Sequence, residues 1–387
     1  MSRAGWLWLT VLLVAPATSA APYLQPGADA ARTGVTGDEG PLHDEVALRV
    51  AVPGTRAPGS VPLIHERFVY VLVQASDHQA HDTNGVVRVS LDTGEVRTLV
   101  ETRSPPLNGA MAPDRILVIL DGEVAAFGTA DGQALWTWPL PVLVGTPTWH
   151  TRCLPPAMQG SSVVVACGEI GQTLRDALGV RDEPVGSLAS VTPEVALFVA
   201  SLDVVTGKLQ WLTQLPLAQD APATPSRPRT LSAFQDSILP GFAVLQHHVV
   251  VLAEELMASD VSLTQVWLLD AADGSPVWGR ALPGGTTDPA RAAPSGPEEV
   301  RPNRIYGDPT GSDDEFYVAL RELIAFDPRD PEPSWTQPLD RSSPNAVGGT
   351  ALALRAPALY VASDDTLRRI DTTSRTVQWT HVLPPGE

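Results

Sequence analysis

Short apolar runs alternate along the chain with clusters of turn residues. RFVYVLVQ (67–74), RILVIL (115–120) and HHVVVLAEE (247–255) are rich in Val, Ile, Leu and aromatic residues, and Pro, Gly, Asn and Asp separate such runs. Apolar, β-branched runs of about four to eight residues are typical of β-strands. Only EIGQTLRDALGV (169–180) reads as a short helix within a loop. The pattern therefore predicts an all-β protein.

A short phrase recurs after these runs, with Asp at the end of one strand and Trp near the start of the next. In SLDVVTGKLQWLTQLP (201–216), Trp211 follows Asp203 by eight residues. Internal repeats of this kind indicate a structure built from repeated units. We align six copies: Asp203 with Trp211, Asp270 with Trp278, Asp327 with Trp335, Asp371 with Trp379, Gly128 in the Asp position before Trp136, and Asp92 in a shorter copy that lacks the Trp.

The phrase has a structural explanation in terms of a tight turn and an aromatic wedge. A strand-end Asp accepts hydrogen bonds from turn N–H groups, and Gly four residues later (Gly132, Gly207, Gly274) supplies a positive φ. The Trp should pack between neighbouring units, because an aromatic side chain of that size buries about 150–250 Å². We therefore interpret the repeated Asp and Trp residues as structural and assign no catalytic residue.

The repeat predicts a β-propeller. Each unit reads as three strands with a weaker strand upstream, and four antiparallel strands in about forty to fifty residues are typical of a propeller blade. Six units plus the N-terminal strand EVALRVAVPG (45–54) suggest about seven blades, with six and eight as alternatives.

The N-terminus predicts export. Arg3 precedes an apolar stretch from Trp6 to Ala15, and small residues lead up to a cleavage point near Ala20, as in secretory signal peptides. The stretch is shorter than the roughly 20 residues that span a bilayer, so an uncleaved anchor is the weaker alternative. We expect a signal peptide at 1–20, a lead-in segment at 21–45 and the propeller at 46–387, in a periplasmic or secreted monomer without stable membrane insertion.

The net charge limits the possible partners, and the two cysteines predict a covalent link. The net charge of −18 argues against nucleic acid, whose phosphates would repel the chain. The two cysteines, Cys153 and Cys167, predict a disulfide between neighbouring strands of an exported protein, with two buried thiols as the alternative.

The repeat resembles that of the pyrroloquinoline quinone (PQQ) type propellers, whose consensus runs approximately Leu-Tyr-Ala-Leu-Asp-x-x-Thr-Gly-x-x-x-Trp. VASLDVVTGKLQW (199–211) is close to that pattern, and GADAARTGVTGDEGPLHDEVALRVAVPG (27–54) resembles the lead-in of such proteins. Pro331 and Arg375 depart from it, because they occupy the position of the turn Gly.

The resemblance implies two functions. Quinoprotein dehydrogenases of this type carry a vicinal Cys–Cys pair against PQQ and a Ca²⁺ held by Glu, Asn and Asp, and the chain has no adjacent cysteines. The propeller subunit of the outer-membrane assembly machine (BamB-like) is a non-catalytic scaffold, although the lipid-bearing Cys of that subunit has no counterpart after the apolar stretch. We expect a non-catalytic scaffold that binds a protein partner in the cell envelope through its long insertions, at about 168–192, 217–240 and 283–303, and we assign no cofactor.

Metal or small-ligand binding is a further alternative. SDHQAHD holds Asp77, His78, His81 and Asp82, and TGSDDE holds Asp313, Asp314 and Glu315. The first set could ligate Zn²⁺ or Ni²⁺, and the second could attract Ca²⁺, but polar loops of this kind are usually only solvated. His247 and His248 open a strand, where a core or surface role is expected, so we assign no metal ligand.

Overall fold

The computed structural model describes most of the repeated units. The described residues are 7–11, 48–52, 55–56, 62–75, 84–120, 122–141, 150–170, 197–215, 238–256, 262–283, 308–320, 322–339, 350–363 and 366–382. The predicted 77–82 loop, most of the three insertions and most of the 169–180 segment lie outside them. Strands form throughout the described residues, which confirms the all-β prediction.

The first three blades follow the predicted repeats. The apolar runs form the second strand of each sheet, and the phrase supplies the third strand, the turn and the fourth strand. The strands are β3 (Thr55–Arg56), β4 (Leu63–His65), β5 (Phe68–Gln74), β6 (Asn84–Ser90) and β7 (Val96–Thr102); β8 (Asn108–Ala112), β9 (Arg115–Leu120), β10 (Glu123–Gly128) and β11 (Ala134–Pro139); and β12 (His150–Cys153), β13 (Ala157–Gln159), β14 (Ser162–Ile170), β15 (Leu197–Asp203) and β16 (Leu209–Leu215).

The last three blades have four strands each. Their strands are β17 (Ile238–Val244), β18 (His248–Leu256), β19 (Ser262–Asp270) and β20 (Pro276–Pro283); β21 (Thr310–Gly311), β22 (Phe316–Ala319), β23 (Glu322–Phe326) and β24 (Pro333–Pro338); and β25 (Thr350–Arg355), β26 (Ala358–Ser363), β27 (Thr366–Asp371) and β28 (Thr376–Val382).

Each sheet is an antiparallel meander with four strand positions. Strand order follows chain order in all six sheets. In the first sheet the first position is divided between β3 and β4, which both pair with β5. In the third sheet it is divided between β12 and β13, which both pair with β14. A register shift in the third-to-fourth strand pairing produces a β-bulge one residue before Trp136, Trp278, Trp335 and Trp379. A bulge re-aims the side chains that follow it, and here it comes directly before the Trp.

The structure favours about six blades, one of the alternatives to the expected seven, because the described residues form six blade-like sheets. The N-terminal strand that suggested a seventh is β2 (Leu48–Val52), which pairs with β1 (Leu7–Val11) in a separate two-stranded sheet. The sequence alone could not decide the number of blades, because a pattern that predicts a strand does not specify which other strand it pairs with.

The hydrophobic core lies between successive sheets. Every residue of β9 is buried, as expected for central strands covered on both faces. One cluster joins the first and second sheets through Leu72, Leu99 and Met111. Others join the fourth to the fifth sheet and the fifth to the sixth. At these three junctions, successive blades bury apolar side chains against each other.

The chain divides into two compact units. The first lies within residues 1–141, 155–165 and 201–210, and the second within 142–154, 166–200 and 211–387. The first two sheets belong to the first unit, the last three belong to the second, and the residues of the third sheet are shared between them.

Cys153 and Cys167 form the predicted disulfide. They face each other across paired strands β12 and β14, and both side chains are buried. The bond closes a loop with a sequence separation of 14. Among the described residues, no helix is long and apolar enough to cross a membrane.

Replacing both cysteines by Ala should lower the free energy of unfolding by about 3 kcal/mol, because a loop of this size gains that much chain entropy when unfolded. Denaturant titration measures the loss. Reduction of the native protein should lower its stability by a similar amount and leave the double variant unchanged. Equal stability of the native protein with and without reductant would contradict the prediction.

Candidate interaction surface: the turns and outer strands

The turn between the third and fourth strands repeats from blade to blade. The N–H of Gly132, Gly207 and Gly274 donates to the carbonyl four residues earlier at 2.8–2.9 Å, and the three glycines have φ between 69° and 74°. In the third blade, Asp203 Oδ1 accepts from the N–H groups of Val205 (3.1 Å) and Thr206 (2.8 Å). The predicted turn role of the phrase is confirmed.

Hydrogen bonds lower the pKa of two turn aspartates, Asp203 and Asp371. The hydroxyl of Thr206 donates to Asp203 at 2.8 Å and holds the pKa of that carboxyl below its usual range. The N–H of Ser374 acts in the same way on the pKa of Asp371. A carboxylate with a lowered pKa is a poor proton acceptor, so these residues suit a structural role.

The first blade corrects the alignment of the repeat. The N–H of Gly94 donates to the carbonyl of Ser90 at 2.9 Å, so Ser90 occupies the Asp position and Asp92 does not. Ser90 Oγ accepts from the N–H of Thr93 at 3.3 Å. Asp92 instead forms an exposed ion pair with Arg67. The alignment was wrong because Asp92 lies two residues past the turn's first position and Ser performs the same capping.

The second blade has Gly128 in the Asp position, and its turn is capped by a carboxylate at another position. Asp131 Oδ1 accepts from the N–H of Gln133 at 3.0 Å. A side chain at position 128 would place its Cβ 2.8 Å from that oxygen. Asp273 and Asp330, three residues past the Asp position of their own blades, accept in the same way from the N–H groups of Ser275 and Glu332. The second blade therefore keeps this second cap without the first, and Gly128 leaves room for it.

The indoles dock onto the turn of the following blade. The ring N–H of Trp136, Trp211 and Trp278 donates to a backbone carbonyl there: Val204 at 3.0 Å, Ala271 at 3.1 Å and Pro328 at 2.8 Å. Each carbonyl belongs to the residue that follows the Asp position. A Cβ on Gly207 would lie 2.5 Å from Trp136, so this turn Gly provides the room for the indole as well as a positive φ.

The fifth blade lacks this contact with the sixth. Trp335 Nε1 is buried and has no hydrogen-bond partner. The glycine position of the sixth turn holds Arg375, which adopts φ 56° and carries a Cβ that glycine lacks. Its guanidinium instead donates to the carbonyl of Ser334 at 3.3 Å. The replacement of the turn glycine by Arg375 therefore coincides with a junction that lacks the indole hydrogen bond.

Arginines that sequence reasoning did not single out contact the same turns. In the first blade, which lacks the Trp, Arg88 donates to the carbonyl of Thr129 at 3.1 Å. Arg115, which is 8% exposed, donates to the carbonyls of Val204 (2.9 Å) and Val205 (3.0 Å) and is paired with Asp114. The signal was present in RILVIL, where a charged residue opens an otherwise buried strand.

A polar cluster joins the fourth and fifth blades. Asp313 Oδ2 lies 2.6 Å from His247 Nδ1, and its Oδ1 lies 3.2 Å from His248 Nδ1. Burial opposes ionisation of Asp313, but hydrogen bonds from the N–H of His247 and from both imidazoles outweigh it, so the pKa of this carboxyl is lowered. One carboxylate thus bridges both rings and links the fourth and fifth blades. His247 lies on the surface, with 69% of its side chain exposed, which is one of the two roles expected for the histidines.

The predicted TGSDDE acids do not converge. Asp313 faces the histidines, whereas Glu315 Oε2 accepts a short hydrogen bond from the Tyr317 hydroxyl and its Oε1 accepts one from Ser334 Oγ at 3.1 Å. Burial and then the Glu315 carboxylate raise the pKa of Tyr317 far above its usual value. Within the described ranges, no group of three or more His, Cys, Asp or Glu residues is arranged to hold a metal ion.

Exposed apolar side chains concentrate on the outer strands. We call this set the outer rim. Single exposed apolar residues are ordinary, but in the described part of the chain the large ones all lie on fourth strands or in the turn before one. They are Leu135, Val205, Leu209, Leu212, Val277, Val377, Trp379 and Val382, with exposures of 38–64%.

Comparison with known proteins agrees with this architecture. A quinohemoprotein alcohol dehydrogenase from Comamonas testosteroni superposes with a TM-score of 0.56 at 11% identity, over 94% of this chain and 68% of that one. The quinohemoprotein alcohol dehydrogenase ADHIIG from Pseudomonas putida HK5 gives 0.50 at 10% identity, over 93% of this chain and 66% of that one. The chain has the PQQ-like β-propeller fold. It spans about two thirds of the length of either dehydrogenase.

The family model described as outer membrane protein assembly factor BamB matches residues 264–387 of the propeller. This segment includes the last part of the fourth blade and the fifth and sixth blades. No curated protein matches the propeller in sequence.

Gly207→Ala should destabilise the propeller more than Gly160→Ala. Both glycines have a positive φ (69° and 58°), so both variants share a backbone penalty of about 1–2 kcal/mol. A Cβ at 160 meets nothing within 4 Å, whereas one at 207 meets Trp136, which adds about 1–3 kcal/mol of overpacking. Chemical denaturation measures both variants, and equal losses would contradict the docking role of Gly207.

Trp278→Phe should cost more stability than Trp335→Phe. The first change leaves the Pro328 carbonyl without its donor, at a cost of about 1–3 kcal/mol. The second removes an N–H that has no partner. The two variants lose the same atoms from partly buried rings that pack on core clusters, so the difference in unfolding free energy isolates the hydrogen bond. A larger loss for Trp335→Phe would overturn this assignment.

Proposed function

We propose that the chain is an exported, non-catalytic scaffold that binds a protein partner in the cell envelope, in a role related to outer-membrane protein assembly. The observation that carries the proposal is the outer rim of exposed apolar side chains. Apolar surface of this kind supports protein contact. The match of residues 264–387 to the BamB family model supports the envelope role.

The construction of the blades suits a binding scaffold. Indole docks and arginine contacts fix the turns between third and fourth strands, and the fourth strands follow those turns directly. A rim held by such contacts loses little conformational entropy when a partner binds, and preorganisation of this kind increases affinity.

Export is part of the proposal. Residues 1–20 are the signal peptide, residues 21–45 lead into the propeller, and the mature protein is a monomer in the periplasm or outside the cell. The buried disulfide supports this placement, because disulfides persist in oxidising compartments.

A quinoprotein-type oxidoreductase is the second candidate, favoured by the likeness to the two superposed dehydrogenases. At 10–11% identity the likeness establishes the fold alone. The two cysteines lie 14 residues apart on paired strands, which differs from the vicinal pair that the resemblance implied for a PQQ enzyme. Titration with PQQ and Ca²⁺ separates the two candidates: a saturable absorbance change and a raised melting temperature would favour the dehydrogenase.

The test is crosslinking in the native envelope, followed by affinity isolation of the tagged chain. The proposal predicts one stoichiometric protein partner. The rim variants Val205→Ser with Leu209→Ser, and Val377→Ser with Val382→Ser, remove exposed apolar atoms, and at least one pair should reduce capture about tenfold. Thr380→Ala, an exposed polar position on the same strand as Val382, is the matched control.

Three results would count against the proposal. Absence of any enriched partner contradicts the scaffold function. Capture that is unchanged in both rim variants contradicts the rim as the binding surface. Equal loss in Thr380→Ala shows that the rim variants act without specificity for apolar contact.

A further inference from the structure

β2 has the character of a fourth strand, but among the described residues no third strand of the kind seen in the six blades pairs with it. Its residues Val50 and Val52 pack against Val69, Val71 and Val87 of the first sheet, and Val52 is fully buried. The sequence AVPG at its end (51–54) resembles ALPG at the end of the fourth strand β20 (281–284). β2 is therefore fixed to the first blade by its side chains, much as one blade packs on the next.

The hydrogen-bonding edge of β2 is occupied by β1. The two strands pair antiparallel over five residues, with Leu9 opposite Val50. In the sheets of the six blades, the strand beside the fourth strand belongs to the same blade. Here the paired strand comes from residues 7–11, which lie within the proposed signal peptide.

Removal of residues 1–20 would therefore leave a row of unpaired N–H and C=O groups along β2. Such an edge is a template for strand addition, and unpaired backbone groups are costly when water is excluded from them. The sequence of β1, Leu-Trp-Leu-Thr-Val, indicates the kind of strand that fits: extended and predominantly apolar.

We infer that the edge of β2 is a strand-addition site, which takes an antiparallel, predominantly apolar strand of the protein partner after residues 1–20 are removed. Main-chain hydrogen bonds supply affinity in this mode of recognition, and side chains on alternate positions supply specificity. The inference rests on the proposed function because it requires a protein partner. It places a contact with that partner at β2, separate from the outer rim.

The experiment introduces a photo-crosslinking residue at Ala51 in the full-length gene, expressed with its own N-terminus. Side chains alternate between the two faces of a strand, and Val50 and Val52 face the first sheet, so a probe at 51 points away from that core. The same probe at Thr380 on β28 is the matched control. Mass spectrometry of the exported protein determines its N-terminus and identifies the peptide joined to the probe.

The competitor is a synthetic peptide with the sequence of residues 5–13, GWLWLTVLL. We expect the probe at 51 to join a second polypeptide through an extended segment, and excess peptide to reduce that yield at least tenfold. A peptide with Leu9→Pro has nearly the same composition but lacks one backbone donor and disrupts pairing, so it should leave the yield unchanged.

The outcomes separate the inference from the proposed function. Crosslinks from 51 only to residues 7–11 of the same chain, retention of those residues after export, or absence of a crosslink overturns the strand-addition site. Partner capture that is sensitive to the rim variants but not to the peptide overturns the site and leaves the scaffold function standing. Absence of a partner in both experiments overturns both.

Discussion

The contact between an indole and the next blade's turn is the constraint on which the described structure depends. Trp136, Trp211 and Trp278 each place an N–H on a carbonyl of the following blade. A buried indole N–H usually finds an acceptor, and the apolar ring requires close packing. In the third and fourth blades the turn offers a carbonyl to the indole N–H and a glycine that leaves room for the ring, whereas the fifth turn offers the Pro328 carbonyl with Pro331 in the glycine position. The position of one aromatic residue therefore fixes the backbone of its neighbour.

The junction between the fifth and sixth blades departs from this pattern. Arg375 occupies the glycine position of the sixth turn, and Trp335 at that junction has a buried N–H without a partner. Pro331 also replaces glycine in the fifth turn, but there Trp278 keeps its hydrogen bond to the Pro328 carbonyl. Near Trp335 other polar contacts are found, between Arg375 and Ser334 and between Ser334 and Glu315. The fifth and sixth blades still share an apolar cluster. Packing thus holds the pair together, while the orienting hydrogen bond is lost.

The sequence predicted the features that repeat from blade to blade. In the described part of the chain, it missed the residues that make a contact found in one blade or junction only. The spacing of Asp, Gly and Trp was sufficient for the turn, the wedge and the fold, because each of those residues has one conformational reason to recur. Ser90 was missed because serine caps the turn in place of aspartate, and the nearby Asp92 was aligned instead although it pairs with Arg67. Arg88 and Arg115 were missed because their contacts with carbonyls of distant residues do not produce a repeating pattern in the sequence. The bridge from Asp313 to two histidines joins residues about 65 positions apart, a distance at which sequence pattern carries no pairing information.

The antiparallel meander separates the constrained end of each blade from the variable one. Within a sheet, the turns from first to second strand and from third to fourth strand lie at one end, because neighbouring strands run in opposite directions. That end holds the indole docks and the His247–Asp313–His248 cluster. The connections from second to third strand, and from each fourth strand to the next blade, leave from the other end. The long insertions fall in these connections, between β14 and β15, β16 and β17, and β20 and β21. The indole docks of the described residues lie at the opposite end of each blade, so the length of these connections can vary without altering those docks.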